Sequence, residues 1–229
     1  MEEIFRTPAE PIYSTGDHWN AMSRMVHTGN VDIITGDWLS EMNIAWNSIA
    51  KQEYPELGYE SGFATQLEDC IDEIAAKGLK VITNAGALNT PALTRKVKEM
   101  CQKRGHTSLV IASVVGDDIS HLLTQPESCK ALKFSHLDHE EQSLENWELV
   151  EGVHCAVAYI GARGIIAALE AGADIVICGR VTDASPVIGA AAWWYEWKED
   201  SFNELAGALV AGRKKPQQPQ YMTNFKKSS

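Results

Sequence analysis

The sequence predicts an α/β fold, a mostly parallel β-sheet with helices on both faces. Three observations carry this. Five short runs of β-branched and apolar residues show almost no polar alternation, as strands buried on both sides do. Segments with helical spacing of apolar residues lie between most of them. Each run also ends at or near a Gly accompanied by Asp, Asn or Arg. Strand–helix alternation of this kind builds an open three-layer sandwich of the Rossmann-like type.

The elements follow in order. VDIIT (Val31–Thr35) closes on Gly36-Asp37, and Asp37 and Glu41 stand four apart at the start of an expected helix. In Gly62–Lys77 the residues Phe63, Leu67, Cys70, Ile71 and Ile74 form one apolar stripe, and Gly78 supplies a C-terminal stop. LKVIT (Leu79–Thr83) closes on Asn84-Ala85-Gly86. Thr90-Pro91 opens the next helix as N-cap and N1, and the cations Lys103-Arg104 and then Gly105 close it. SLVIASVV (Ser108–Val115) closes on Gly116-Asp117-Asp118, ahead of a short helix over Ile119–Leu123. VHCAVAYI (Val153–Ile160) closes on Gly161-Ala162-Arg163, and a helix over Ile165–Glu170 ends at Gly172. DIVIC (Asp174–Cys178) closes on Gly179-Arg180, and Ser185 opens a helix through AAAWWYEW.

The composition fits this picture. The chain has 229 residues and is 45% hydrophobic, enough for one domain with a full core. Its net charge of −11 is uneven. Residues 1–212 hold 15 basic against 31 acidic residues, a balance of −16, and residues 213–229 carry +5. So acidic a body repels a phosphate backbone, so no nucleic-acid partner is expected. No uncharged apolar run approaches the roughly 18 residues of a membrane span. The start, Met1-Glu2-Glu3, has no apolar signal core. Five cysteines without a C-x-x-C pair point to reduced thiols and a cytoplasmic setting. Residues 1–212 read as one domain, and the Pro/Gln-rich, basic stretch 213–229 reads as a disordered tail.

In such a sheet ligands bind beyond the carboxyl ends of the strands. Asp37, Glu41, Asp117, Asp118 and Asp183 are therefore the candidate acid/base residues, because clustered carboxylates can hold one proton near neutral pH. Asn84, Gly86, Asn89, Arg163 and Arg180 are the candidate substrate contacts. Gly lets the backbone approach a ligand, the amides orient a carbonyl or hydroxyl, and the guanidinium forks suit a carboxylate or phosphate. The competing reading is turn and cap chemistry, or ion pairs with the acidic surface. No dinucleotide, P-loop or nucleophile-elbow motif is present, so the cofactor is left open, with a divalent cation at Asp117 and Asp118 as one option. His136-x-x-His139 has metal-like spacing but no evident third ligand. Trp193, Trp194, Tyr195 and Trp197 suit core packing, a subunit contact or an aromatic binding wall.

At these strand ends the chain resembles the acyclic terpene utilisation protein A family. The matching stretches are VDIITGDWLSEMNIA (Val31–Ala45), KGLKVITNAGALNTPAL (Lys77–Leu93), VVGDD (Val114–Asp118), YIGARGIIAALEAGADIVICGRVTDAS (Tyr159–Ser185) and LAGALVAG (Leu205–Gly212). They run in family order and resemble fungal members more than bacterial ones. The family is named for bacterial degradation of acyclic isoprenoids, where it accompanies acyl-CoA carboxylation, hydration and cleavage. The resemblance thus implies a metabolic enzyme on a small acyl-CoA, carboxylated or isoprenoid substrate, with hydration, dehydration or isomerisation as the expected chemistry. A small-molecule substrate and a homo-oligomer are the expected partners; the alternative function is a non-catalytic binding or assembly subunit that oligomerises through the aromatic helix. Relative to the family, Pro8 and Pro11 interrupt an expected first strand, and the chain departs after LAGALVAG, where a further half-domain is expected.

Overall fold

Four of the five apolar runs form the sheet. β1 (Ile33–Gly36), β2 (Lys80–Thr83), β3 (Ile111–Val114) and β4 (Ile175–Cys178) pair in parallel with one another, and every residue of β4 is buried. The computed structural model describes residues 18–28, 31–123, 134–139, 153–213 and 221–223. The order across the sheet is β3-β4-β2-β1-β5, where β5 (Tyr221–Thr223) runs antiparallel to β1 at the edge. That short strand lies within the stretch read as a disordered tail. Its Tyr-Met-Thr sequence carries two strand-favouring residues. Residues 214–220 and 224–229 of that stretch, and the Pro8–Pro11 region, lie outside the described residues.

The helices are α1 (Ala21–Thr28), α2 (Glu41–Glu53), α3 (Ser61–Lys77), α4 (Thr90–Lys103), α5 (Ser120–Leu123), α6 (Arg163–Glu170), α7 (Ser185–Trp194) and α8 (Phe202–Arg213). Strand side chains alternate between two cores. Ile34, Val81, Ile175 and Ile177 pack with Val26 of α1, Phe63, Leu67, Ile71 and Ile74 of α3, and Leu93 and Val97 of α4. Ile33, Ile82, Val176 and Cys178 pack with Ile165 and Leu169 of α6, Ala190 and Ala191 of α7, and Ala208 of α8. Burial of each large side chain contributes about 1.5–3 kcal/mol, so these two stripes dominate the stability of the sandwich.

Chain direction explains the two layers. From β1 to β2 to β3 the chain moves one way across the sheet, and from β3 to β4 it turns back. Right-handed crossovers then place α3 and α4 on one face and α6 on the other. Neighbouring β2 and β4 are followed by α4 and α7 on opposite faces. Their carboxyl ends form the switch point at which open α/β sheets bind ligands.

One expected strand is absent from the sheet. Val153–Ile160 makes only isolated bridges, Val157 with Asp118 and Ile160 with Val181. It runs beside α2 instead, with His154 hydrogen bonded to Gln52 at 2.9 Å and Tyr159 to Glu41 at 2.6 Å. Its side chains are half-exposed, not buried on both faces. The helix ends also adjust. Asn89, not Thr90, is the N-cap residue of α4, and Gly78 ends α3 at φ 64°.

Candidate functional site

The site is built around Arg180, the second residue after β4. Its side chain reaches from β4 past the end of β2 to the loop after β1, where Nη1 donates to the Leu39 carbonyl at 3.1 Å. The residue is only 4% exposed. Nη2 lies 3.2 Å from Asp183 Oδ1 and 3.7 Å from Glu41 Oε1. The guanidinium stacks on Tyr159 at 4.1 Å from the ring centroid, a favourable cation–π placement. Nε is buried and has no hydrogen-bond partner among the described residues. A buried donor left unpaired costs free energy, which makes it a natural position for an acceptor brought by a ligand.

Glu41 opens α2, where the helix N-terminus favours a carboxylate. The Tyr159 hydroxyl donates to Glu41 Oε1 at 2.6 Å. That bond, with the Glu41 backbone amide and the Arg180 charge, holds the carboxyl below its usual range against the opposing effect of burial. Asp37 is not on the helix. It precedes the N-cap Ser40, so the four-residue spacing to Glu41 is not a helical pair.

Asp117 and Asp118 face different partners. The Arg180 backbone N–H donates to Asp117 Oδ2 at 2.5 Å, and burial pushes this carboxyl up, with the Asp118 charge adding to it. For Asp118 burial also acts upward. The Ser120 hydroxyl and amide, and Lys51 at 3.6 Å, outweigh it and hold the group low. Asp118 therefore caps the first turn of α5 while Asp117 supports the β4 loop. Among the described residues, no three His, Cys, Asp or Glu side chains gather as metal ligands do.

The remaining expected contacts separate. Asn84 is fully buried and ties two strand ends together: it donates to Asp37 Oδ1 at 2.8 Å and accepts the Trp38 N–H at 2.7 Å. Gly86 donates to the Cys178 carbonyl at 3.0 Å, and a Cβ there would lie 2.5 Å from that same oxygen. Its glycine allows β2 and β4 loops to touch. Asn89 donates to the carbonyls of Pro55 and Leu57 at 3.0 and 2.6 Å, anchoring the loop after α2. Arg163 is highly exposed and sits 3.5 Å from Glu199. Its run is not a sheet strand, so its position at the start of α6 does not bring it to Arg180. Glu41, Asp117 and Asp183 each contact Arg180 directly, while Asp37 and Asn84 pair with each other beside Trp38.

One group escapes sequence reading. Glu60, just before α3, is 3% exposed and accepts from Asn47 Nδ2 at 2.5 Å and Asn43 Nδ2 at 3.3 Å. Burial raises its carboxyl to about 6, although the two amides pull it down. The signal available was the Asn43/Asn47 pair, four apart on the buried face of α2. A raised acid destabilises the fold as it ionises. The stability it lends is full below the ordinary value of 4.5 and is lost as pH rises through about 6, a change of about 2 kcal/mol. Glu60→Gln keeps an acceptor for both amides and cannot ionise. Its stability relative to the native protein is expected to rise by about 2 kcal/mol from about pH 4.5 to about pH 7.5 in urea titrations. A constant difference would show that Glu60 does not titrate this way.

The other candidates are placed as follows. His136 is half-buried and His139 exposed in one short loop, with ring centroids 4.8 Å apart, and the His136 Nδ1 accepts the His139 N–H. Cys70, Cys101, Cys155 and Cys178 are free thiols, and burial pushes Cys70 up to about 12. Cys129 lies outside the described residues. The indoles of Trp193, Trp194 and Trp197 pack at the margin of the second core.

Fold and site together define a three-layer α/β domain whose chemistry-bearing residues gather at the carboxyl edge of a parallel sheet, around one buried arginine. The chain belongs to the acyclic terpene utilisation family: the profile described as "Acyclic terpene utilisation family protein AtuA" matches residues 13–213. No curated protein and no solved structure matches it. The family points to a role in acyclic terpene utilisation. No helix among the described residues is long and apolar enough to cross a membrane.

Proposed function

We propose that the protein is a cytoplasmic metabolic enzyme that binds the carboxylate or acyl-CoA end of an acyclic isoprenoid and moves a proton next to its carbonyl. The observation that carries this reading is Arg180, buried at a switch point with an unpartnered Nε and two loosely held carboxylates. Glu41 and Asp183 are exposed, so an incoming anion can replace them on the guanidinium without burying either. Glu41, held ionised by Tyr159, is the base, and the Tyr159 hydroxyl is placed to return the proton. Hydration, dehydration and isomerisation beside a carbonyl each use one base and one acid, the roles assigned here to this pair. An assembly subunit joined through the aromatic helix is less well supported, because three of its four aromatic rings are half-buried against the core.

The test compares terpenoid acids and acyl-CoA thioesters with the matching terpenoid alcohols. The acids and thioesters are expected to raise the melting temperature, and the alcohols to leave it unchanged. Deuterium should enter at the carbon beside the carboxyl in heavy water, read by NMR. Glu41→Gln should keep the thermal shift and lose the exchange. Equal shifts from acid and alcohol would remove the arginine anchor, and exchange surviving in Glu41→Gln would remove the base.

A further inference from the structure

A cavity lies away from the Arg180 rim, beyond the last turn of α7. Its volume is about 490 Å³, and Trp193, Trp194, Trp197, Glu170 and Glu196 supply its side-chain walls. It lies where α6 and α7 end, near the start of β2, far along the helices from the Arg180 rim. That size suits a small organic ligand. The walls specify the chemistry. Indole faces attract cations of low hydration, and trimethylated ammonium groups are the usual occupants of aromatic cages. Two helix C-termini direct carbonyl dipoles to the same region, which favours positive charge there. Lys80 Nζ, ion-paired with Asp174 at 2.8 Å, lies 6.0 Å from the Trp193 centroid, so this indole already borders one ammonium group.

The end of α7 adds an independent observation. The Trp197 N–H donates to the Ala192 carbonyl at 2.9 Å and the Glu196 N–H to the Trp193 carbonyl at 3.3 Å. These bonds make a Schellman motif, whose left-handed position usually holds Gly. Here that position is Glu196, at φ 54°. A β-carbon is disfavoured in that conformation. The strained residue puts a carboxylate on the wall of the indole cavity, where glycine would close the helix with less strain. Glu170, the last residue of α6, brings a second one.

We infer that this cavity binds a small organic ammonium ion, with the Trp193, Trp194 and Trp197 indoles as the cage and Glu170 and Glu196 as counter-charges. The assignment is independent of the Arg180 site. It is tested by calorimetric titration of the full chain with tetramethylammonium chloride at constant ionic strength. Saturable one-to-one binding is expected, with no binding of tert-butanol, which has similar shape and no charge. Glu196→Gly should bind on the order of tenfold more weakly while its melting temperature is unchanged or raised. Absence of saturable binding would overturn the inference. So would equal binding of tert-butanol, or unchanged affinity in the double variant Glu170→Gln/Glu196→Gly.

Discussion

Gly179→Ala is expected to destabilise the protein by about 4 kcal/mol. A Cβ at this position would fall well inside contact distance of both carboxylate oxygens of Asp117. The carboxylate has little room to retreat. Asp117 is 3% exposed and its Oδ2 holds the Arg180 N–H. The added methyl group therefore combines overpacking, about 1–3 kcal/mol, with loss of a charge-assisted hydrogen bond, about 1.5–3 kcal/mol. The origin of the loss can be isolated. Asp117→Ala removes the obstructing oxygens, so the double variant Gly179→Ala/Asp117→Ala should be more stable than Gly179→Ala alone. Denaturant midpoints for the four members of the cycle give the coupling directly. Simple addition of the two losses would mean that the glycine is required for some reason other than this contact.

Arg180→Met is expected to abolish ligand binding at the rim, at least a hundredfold, with a smaller effect on stability. Methionine fills much of the volume and keeps contact with Tyr159. It leaves the Leu39 carbonyl without its donor and removes the positive charge between Glu41 and Asp183. The stability loss should be about 2 kcal/mol, from one lost hydrogen bond to a charged group and one lost cation–π contact. The binding loss is larger, because a carboxylate arriving at that rim would meet two like charges and no cation. At about 1.4 kcal/mol per tenfold, a hundredfold corresponds to roughly 3 kcal/mol. Arg180→Lys separates charge from shape. It keeps the charge and loses the fork, so it should recover part of the affinity and less of any catalysis. A thermal shift by terpenoid acids that survives in Arg180→Met would place the ligand elsewhere.

These two variants also show what could be read from sequence. The sheet was legible because β1, β2 and β4 are largely buried on both faces, which suits continuous apolar runs, while edge strand β3 keeps the same apolar character with only Ser113 exposed. Val153–Ile160 has similar composition but lies across the carboxyl edge beside α2, half in water. Hydropathy of a short run does not say whether its neighbour is another strand or a helix. The same error separates the two arginines. Arg163 and Arg180 follow apolar runs in the same way, yet only Arg180 follows a sheet strand, and only Arg180 is buried. Asn84, Gly86 and Asn89 were conspicuous for a structural reason: each satisfies or permits a backbone contact between loops. Glu60 was inconspicuous because its two partners lie 13 and 17 residues earlier, and a lone acid before a helix is common.

The place of β4 has a consequence for how the molecule is assembled. The chain makes β3 before β4, yet β4 must enter between β2 and β3. Until it does, β3 has no partner in the sheet, and the edge of β2 stands open. Such long-range insertion is slow relative to local helix formation, and the unpaired edge is exposed to wrong pairing while it waits. The strand that completes the sheet is also the one that carries Gly179 and Arg180. A folding intermediate that lacks β4 therefore lacks the rim arginine too, so the buried guanidinium takes its place in the same step that seals the centre of the sheet.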